Sequence, residues 1–171
     1  PLARLDKTKA VRFSVGSREL CEDLNRIGIH PRKSLVLEWP NIPEQYIYHF
    51  IRGYFDGDGT CRMMPGYINK GGTCLPQFQF SMLGTLCFLT RLKEIVNAHT
   101  GNDYGSIEYI ERFSIYRLTF CGTNSAYAFG QLMYADSDVL RLDRKYNRYT
   151  TWLDVKDIHS NPQYIDDLSR Y

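Results

Sequence analysis

The chain has 171 residues, 43% hydrophobic and 23% charged, with a formal net charge of +2. Those values fit one globular domain, or two at most, with a core large enough to hold without disulfides. The charge argues against a histone-like basic protein, and along the sequence no run approaches the roughly 18 apolar residues of a membrane span.

Other composition features narrow the class further. Five cysteines in no CxxC pair point away from a disulfide framework and from a zinc site, and towards small hydrophobes in a reducing compartment. No N-terminal stretch resembles a signal peptide, so the expected location is the cytoplasm of a bacterium or phage, or an organelle, and not secretion. Aromatics reach 14%, including 13 tyrosines, which suit half-buried strands and polar contact surfaces alike. A nearly neutral total still permits one DNA-reading face balanced by acids elsewhere.

In chain order, VRFSV at 11–15 alternates like a strand. SRELCEDLNRI at 17–27 has helical spacing, with Leu20, Leu24 and Ile27 on one face, Ser17 as cap and Gly28 as stop. A short extended LVLEW and a PNIP loop follow. Residues 43–57 form the clearest helix, with Asn41 and Glu44 as a capping box and Pro43 in the first turn. Ile47, Phe50, Ile51, Tyr54 and Phe55 make its apolar stripe, and Tyr46, Phe50, Gly53 and Gly57 make a second face. After Gly59 the period shifts to two. Strands are predicted at 60–68, 76–82, 104–110 and 112–121, and helices at 84–99 and 124–134. The basic, aromatic stretch 139–152 is expected to be helical in part, and the acidic tail peripheral.

The layout of residues 11–34 recurs at 116–146. Each stretch has a strand with arginine at its second position, a Gly-Ser or Gly-Thr turn, a helix, and an Arg-Lys pair. The expected organisation is therefore the end of a first repeat at 1–40, a complete repeat at 41–153 and a tail at 154–171.

The chemistry concentrates in FIRGYFDGDGT at 50–60. Gly53 and Gly57 share a helix face, where each glycine costs roughly 1 kcal/mol of helix propensity. Close approach of a second backbone is the usual compensation. Asp56 and Asp58 lie at the helix C-terminus, whose partial negative charge disfavours carboxylates. A bound cation reverses that sign, and Mg²⁺ prefers carboxylates, carbonyls and waters. Two such helices side by side would bring two carboxylates to one phosphodiester. The competing reading is a plain DGDG turn; an EF-hand loop is not completed.

Residues Ile51–Gly59 (IRGYFDGDG) resemble the LAGLIDADG motif of homing endonucleases. Both acids match, as do Gly53 and Gly59, while Arg52 stands where a small residue is usual. The resemblance covers about residues 11–150. It implies an α+β fold: a LAGLIDADG-type αββαββα unit with a curved antiparallel four-stranded DNA-binding sheet, preceded by a partial first repeat. It implies a sequence-specific double-stranded DNA endonuclease making a metal-dependent phosphodiester cut. Asp58 would be the catalytic metal ligand, joined by the Gly57 carbonyl, with Asp56 structural. Lys145, and Lys33 in the partial repeat, would be basic residues near the cleavage pocket. The cofactor would be Mg²⁺ or Mn²⁺, with Ca²⁺ binding without supporting cleavage.

A sheet in the major groove turns every second side chain towards base edges. Phased from Asp58, the outward set is Thr60, Arg62 and Met64, then Gln77, Gln79 and Ser81, then Arg117 and Thr119. Arg144 would contact phosphate. The same alternation also suits any sheet with one wet face. The family's active site needs two motif helices, and this sequence shows one. The second LAGLIDADG half would be a first repeat missing here, another chain or a homodimer mate, meeting Gly53, Gly57, Tyr46 and Phe50. A non-catalytic DNA-binding regulator and an intron RNA maturase are the rival readings; retention of both acids favours the enzyme.

Overall fold

At Gly59 hydrophobic periodicity changes from helical to alternating, and there the chain passes from helix to sheet. The structure is a computed structural model and describes residues 2–4, 11–31, 35–68, 74–135 and 140–157. Strand β1 (Leu2–Arg4) pairs antiparallel with β2 (Val11–Phe13), and helix α1 (Arg18–Arg26) follows. Ser17 caps α1 by accepting from the Leu20 amide at 3.1 Å. Gly28, at φ 91°, lies just past its end. No residue of α1 is buried, so the expected stripe of Leu20, Leu24 and Ile27 forms but meets no core.

Residues 35–41 do reach the core. Leu37 is buried, and the Trp39 ring stacks on Phe88 at 5.2 Å and meets Phe50 edge-on at 5.4 Å. The expected capping box does not start the next helix. Pro43 is extended, Glu44–Tyr46 forms a 3₁₀ turn, and α2 begins without a side-chain cap at Ile47 and runs to Asp58. Then come β3 (Thr60–Ile68), β4 (Cys74–Gly84), α3 (Leu86–Thr100), β5 (Ser106–Ile110), β6 (Ile115–Cys121), α4 (Thr123–Tyr134) and α5 (Asp143–Asp157). From α2 to α4 this is the αββαββα order. The sheet order is β3-β4-β6-β5, with every neighbour antiparallel. The strand expected at 112–121 starts later, because Glu111–Phe113 forms a 3₁₀ turn closed by Ser114 at φ 50°. Helix α5 extends past the expected end and takes in Asp154 and Asp157; residues 158–171 and Lys33 lie outside the described residues. Among the described residues, no helix is long and apolar enough to cross a membrane.

Aromatic rings fill the space between sheet and helices. Phe78 stacks on Trp152 at 5.3 Å, Phe120 on Phe129 at 4.3 Å, and Phe55 meets Phe80 edge-on at 5.3 Å. Each such burial contributes about 1.5–3 kcal/mol. The Trp152 indole donates to the Pro76 carbonyl at 3.0 Å, so its polar atom is satisfied. Gly130 lets Tyr149 lie against α4, where an added Cβ would stand 2.2 Å from the tyrosine ring.

Burial pushes Tyr149 up to about 12, and burial with the Asp58 charge pushes Tyr54 up to about 12. Burial and Asp56 raise Tyr134 as well. A raised folded-state pKa means the fold holds these protons more tightly than the unfolded chain, whose tyrosines titrate near 10. Their stabilisation is complete below pH 10 and is lost as pH rises from about 10 through 12. Thermal melts across that window should show falling stability, with a shallower decline in Tyr149→Phe; parallel declines would exclude Tyr149 from the effect.

Candidate functional site

The last carbonyls of an α-helix have no intrahelical partners, and at the end of α2 a side chain from α5 supplies them. Lys145 is 2% exposed and donates its ammonium to the carbonyls of Phe55 (2.5 Å), Asp56 (3.0 Å) and Gly59. An ammonium carries three donors, and these bonds use all three. Burial pushes the Lys145 pKa below the usual lysine value and Arg144 adds repulsion, while Asp56 and Asp58 oppose both. Gly59 makes the tight turn possible: an added Cβ would lie 2.2 Å from the Phe55 ring and 2.6 Å from its carbonyl oxygen.

The two acids of the motif sit in unlike surroundings. Asp56 is half-buried; its Oδ2 accepts from the Leu142 amide at 2.8 Å, and the Tyr134 hydroxyl donates to Oδ1 at 3.5 Å. Asp58 is exposed and lines a cleft of about 290 Å³ over the sheet, with Thr60, Arg62, Gln79, Ser81, Leu83 and Arg117. One helical position therefore braces the fold, and the position two residues on faces the cleft.

Arg52, the departure from the motif, is 5% exposed. Its guanidinium donates to the carbonyls of Met133 (3.0 Å) and Leu140 (2.8 Å) and to His49 Nδ1 (2.8 Å). Met133 lies in the last turn of α4, so a cation caps a helix C-terminus. The glycine face of α2 is bare: Gly53 and Gly57 are exposed, and nothing stands within 4 Å of an added Cβ at either. Tyr46 is 52% exposed, whereas Phe50 packs against Trp39 and Phe88 on the core side.

The sheet separates its two faces by alternation. Phe78, Phe80, Met82, Leu118 and Phe120 are buried against the helices. Thr60, Arg62, Met64, Gln77, Gln79, Ser81, Arg117 and Thr119 alternate with the inward residues and are all at least partly exposed. In register, Thr60 faces Ser81 and Ser81 faces Thr119, with the Thr60 and Ser81 hydroxyls 2.8 Å apart. Arg62 faces Gln79 and donates to its carbonyl oxygen at 2.8 Å. Arg117 donates to Glu108 across β5-β6 at 2.8 Å. Arg144 is exposed on the first turn of α5, away from the buried Lys145 beside it.

Sequence reasoning missed Glu108 and Leu83. Leu83 lies one residue past the predicted end of its strand. Glu108 was within a predicted strand, but its face follows only from its pairing with Arg117. Among the described residues, no group of three or more His, Cys, Asp or Glu stands ready to hold a metal. Asp58 is the one carboxylate among those residues that lines the cleft, and an exposed carboxylate is the kind of oxygen donor a hard cation takes.

No family model and no curated protein matches the chain. Solved structures do. Meganuclease I-SmaMI bound to uncleavable DNA with a TTCT central four superposes with a TM-score of 0.51 at 19% identity, covering 87% of this chain and 48% of that one. Its complex with a TTGT central four gives 0.50 at 18%, covering 87% and 46%. The archaeal intron-encoded homing endonuclease I-Vdi141I complexed with DNA gives 0.50 at 13%, covering 72% and 74%. These neighbours are LAGLIDADG homing endonucleases, and the likeness is one of fold. The chain spans about half the length of the I-SmaMI structures it matches.

Replacing Lys145 by methionine keeps the volume and takes the ammonium from the Asp56 and Gly59 carbonyls at the turn after α2, while the Phe55 carbonyl keeps the Gly59 amide at 2.8 Å. The expected cost is about 3 kcal/mol, a fall in Tm of roughly 6–12 °C. An unchanged Tm would deny the lysine its part in holding that turn.

Proposed function

We propose that this chain, which carries the LAGLIDADG homing-endonuclease fold, is one half of a sequence-specific double-stranded DNA endonuclease that cuts in a metal-dependent step. The observation that carries the reading is the contrast between the motif acids. Asp56 is tied into the fold by an amide and a hydroxyl, while Asp58 stands exposed at the head of a polar sheet cleft. A helix C-terminus is a costly place for a free carboxylate unless a cation or a phosphate-bound cation meets it.

Asp58 and the Gly57 carbonyl would hold the ion, most simply Mg²⁺ or Mn²⁺, with waters and phosphate oxygens as the other ligands. Ca²⁺ would bind there without supporting cleavage. When bound, the ion supplies charge stabilisation at the scissile phosphate. The chain's own residues do the rest. Lys145 is a positioning residue: it fixes the turn after Asp58 and so the direction of that carboxylate. Arg62, Gln77, Gln79 and Arg117 present groups suited to guanine and adenine edges, with Met64, Thr60, Ser81 and Thr119 between them. Arg144 contacts phosphate.

The bare row of Gly53 and Gly57 is the docking face for a second half, which would supply the second carboxylate. That half is a first repeat, another chain or a second copy.

Asp58→Asn should slow cutting of a selected duplex in Mg²⁺ at least about 100-fold while duplex binding persists; undiminished cutting would remove Asp58 from the reaction. Gly53→Ala separates the fold from the assembly. It should raise the stability of the isolated chain by up to about 1 kcal/mol through helix propensity. The same methyl should prevent helix docking, seen as loss of assembly in sedimentation and loss of cleavage. Cleavage that survives the substitution would reject the docking face.

A further inference from the structure

We propose that Arg117 and Glu108 act as one unit that reads a single G·C pair in one orientation. The inference rests on the endonuclease reading and assigns Glu108 a role in it.

The two residues are register partners on β6 and β5, so both side chains rise from the same face of the sheet as the cleft. Arg117 Nη1 donates to Glu108 Oε1 at 2.8 Å, with side chains 39% and 56% exposed. An acid on a face that meets a polyanion works against general phosphate attraction. Its benefit is chemical pattern. The bond between the two residues uses one of the five guanidinium N–H groups and one of the two carboxylate oxygens. Two donors of the guanidinium and an acceptor of the carboxylate can then lie side by side, with the salt bridge fixing their order.

A G·C pair offers the major groove two acceptors, guanine N7 and O6, followed by the donor N4 of cytosine. Donor, donor, acceptor is its complement. An A·T pair offers acceptor, donor, acceptor, which opposes like to like at the second and third positions. A C·G pair presents the matching groups in reverse order. The Arg62–Gln79 pair lacks this selectivity, because the glutamine amide both gives and accepts and no acid fixes the order.

The test is a binding selection from a randomised duplex library at fixed salt, with the full chain, E108Q and R117A, each checked by thermal melting. The wild-type chain should enrich G·C in one orientation at one position. E108Q should flatten preference at that position by about 10-fold and leave the others unchanged. R117A should flatten the same position. If the two variants flatten different positions, or E108Q changes all sequences alike, the pair is a surface salt bridge and the inference falls. It also falls if the selected sites show no oriented G·C at the shared position. A wild-type chain that enriches no sequence overturns the endonuclease reading as well.

Discussion

The fold depends on how the end of α2 is held. A helix C-terminus carries unpaired carbonyls and a partial negative charge, and here it also carries two carboxylates. Three links oppose the strain. Lys145 reaches into the carbonyl end, Asp56 receives the Leu142 amide, and Arg52 joins α2 to Met133 and Leu140. All of them connect α2 to the stretch between the end of α4 and the first turn of α5. The chain thus closes on its own motif, and the carboxylate of Asp58 is aimed by packing far from it in sequence.

The sheet is the second device. Large rings on one face exclude water, and that face fixes the register, since a slip of one residue would turn Phe78 and Phe80 outward. With the register fixed, the polar residues on the other face fall into rows with defined neighbours: Thr60 with Ser81, Arg62 with Gln79, Arg117 with Glu108. A recognition surface of this kind is the by-product of a well-packed core behind it. Helix α2 repeats the logic on a smaller scale. Ile51 and Phe55 bury one side, and the glycines leave the other side flat and uncovered. A partner backbone can approach a helix closely only where side chains are missing.

Much of this was legible in the chain itself. The αββαββα order, the motif helix and the inward and outward phases of three strands followed from periodicity and from the IRGYFDGDG segment, because period and glycine placement are local properties. Helix starts were less legible. The Asn41–Glu44 pattern promised a capped start that the extended Pro43 and a 3₁₀ turn replaced. The N-terminal helix formed as expected, but its sequence carried no sign of what its apolar face would meet.

What the sequence by itself determined was which residues alternate, which segments coil and where two acids and two glycines fall on one helix. Only the tertiary structure decided which partners hold Asp56 in the fold, that Lys145 and Arg52 are buried against backbone carbonyls, and that Glu108 stands beside Arg117. Those outcomes hang on contacts between residues about 9 to 90 positions apart. Local propensity is blind to such contacts, because they exist only once the sheet register and the α2–α5 packing have brought the partners together.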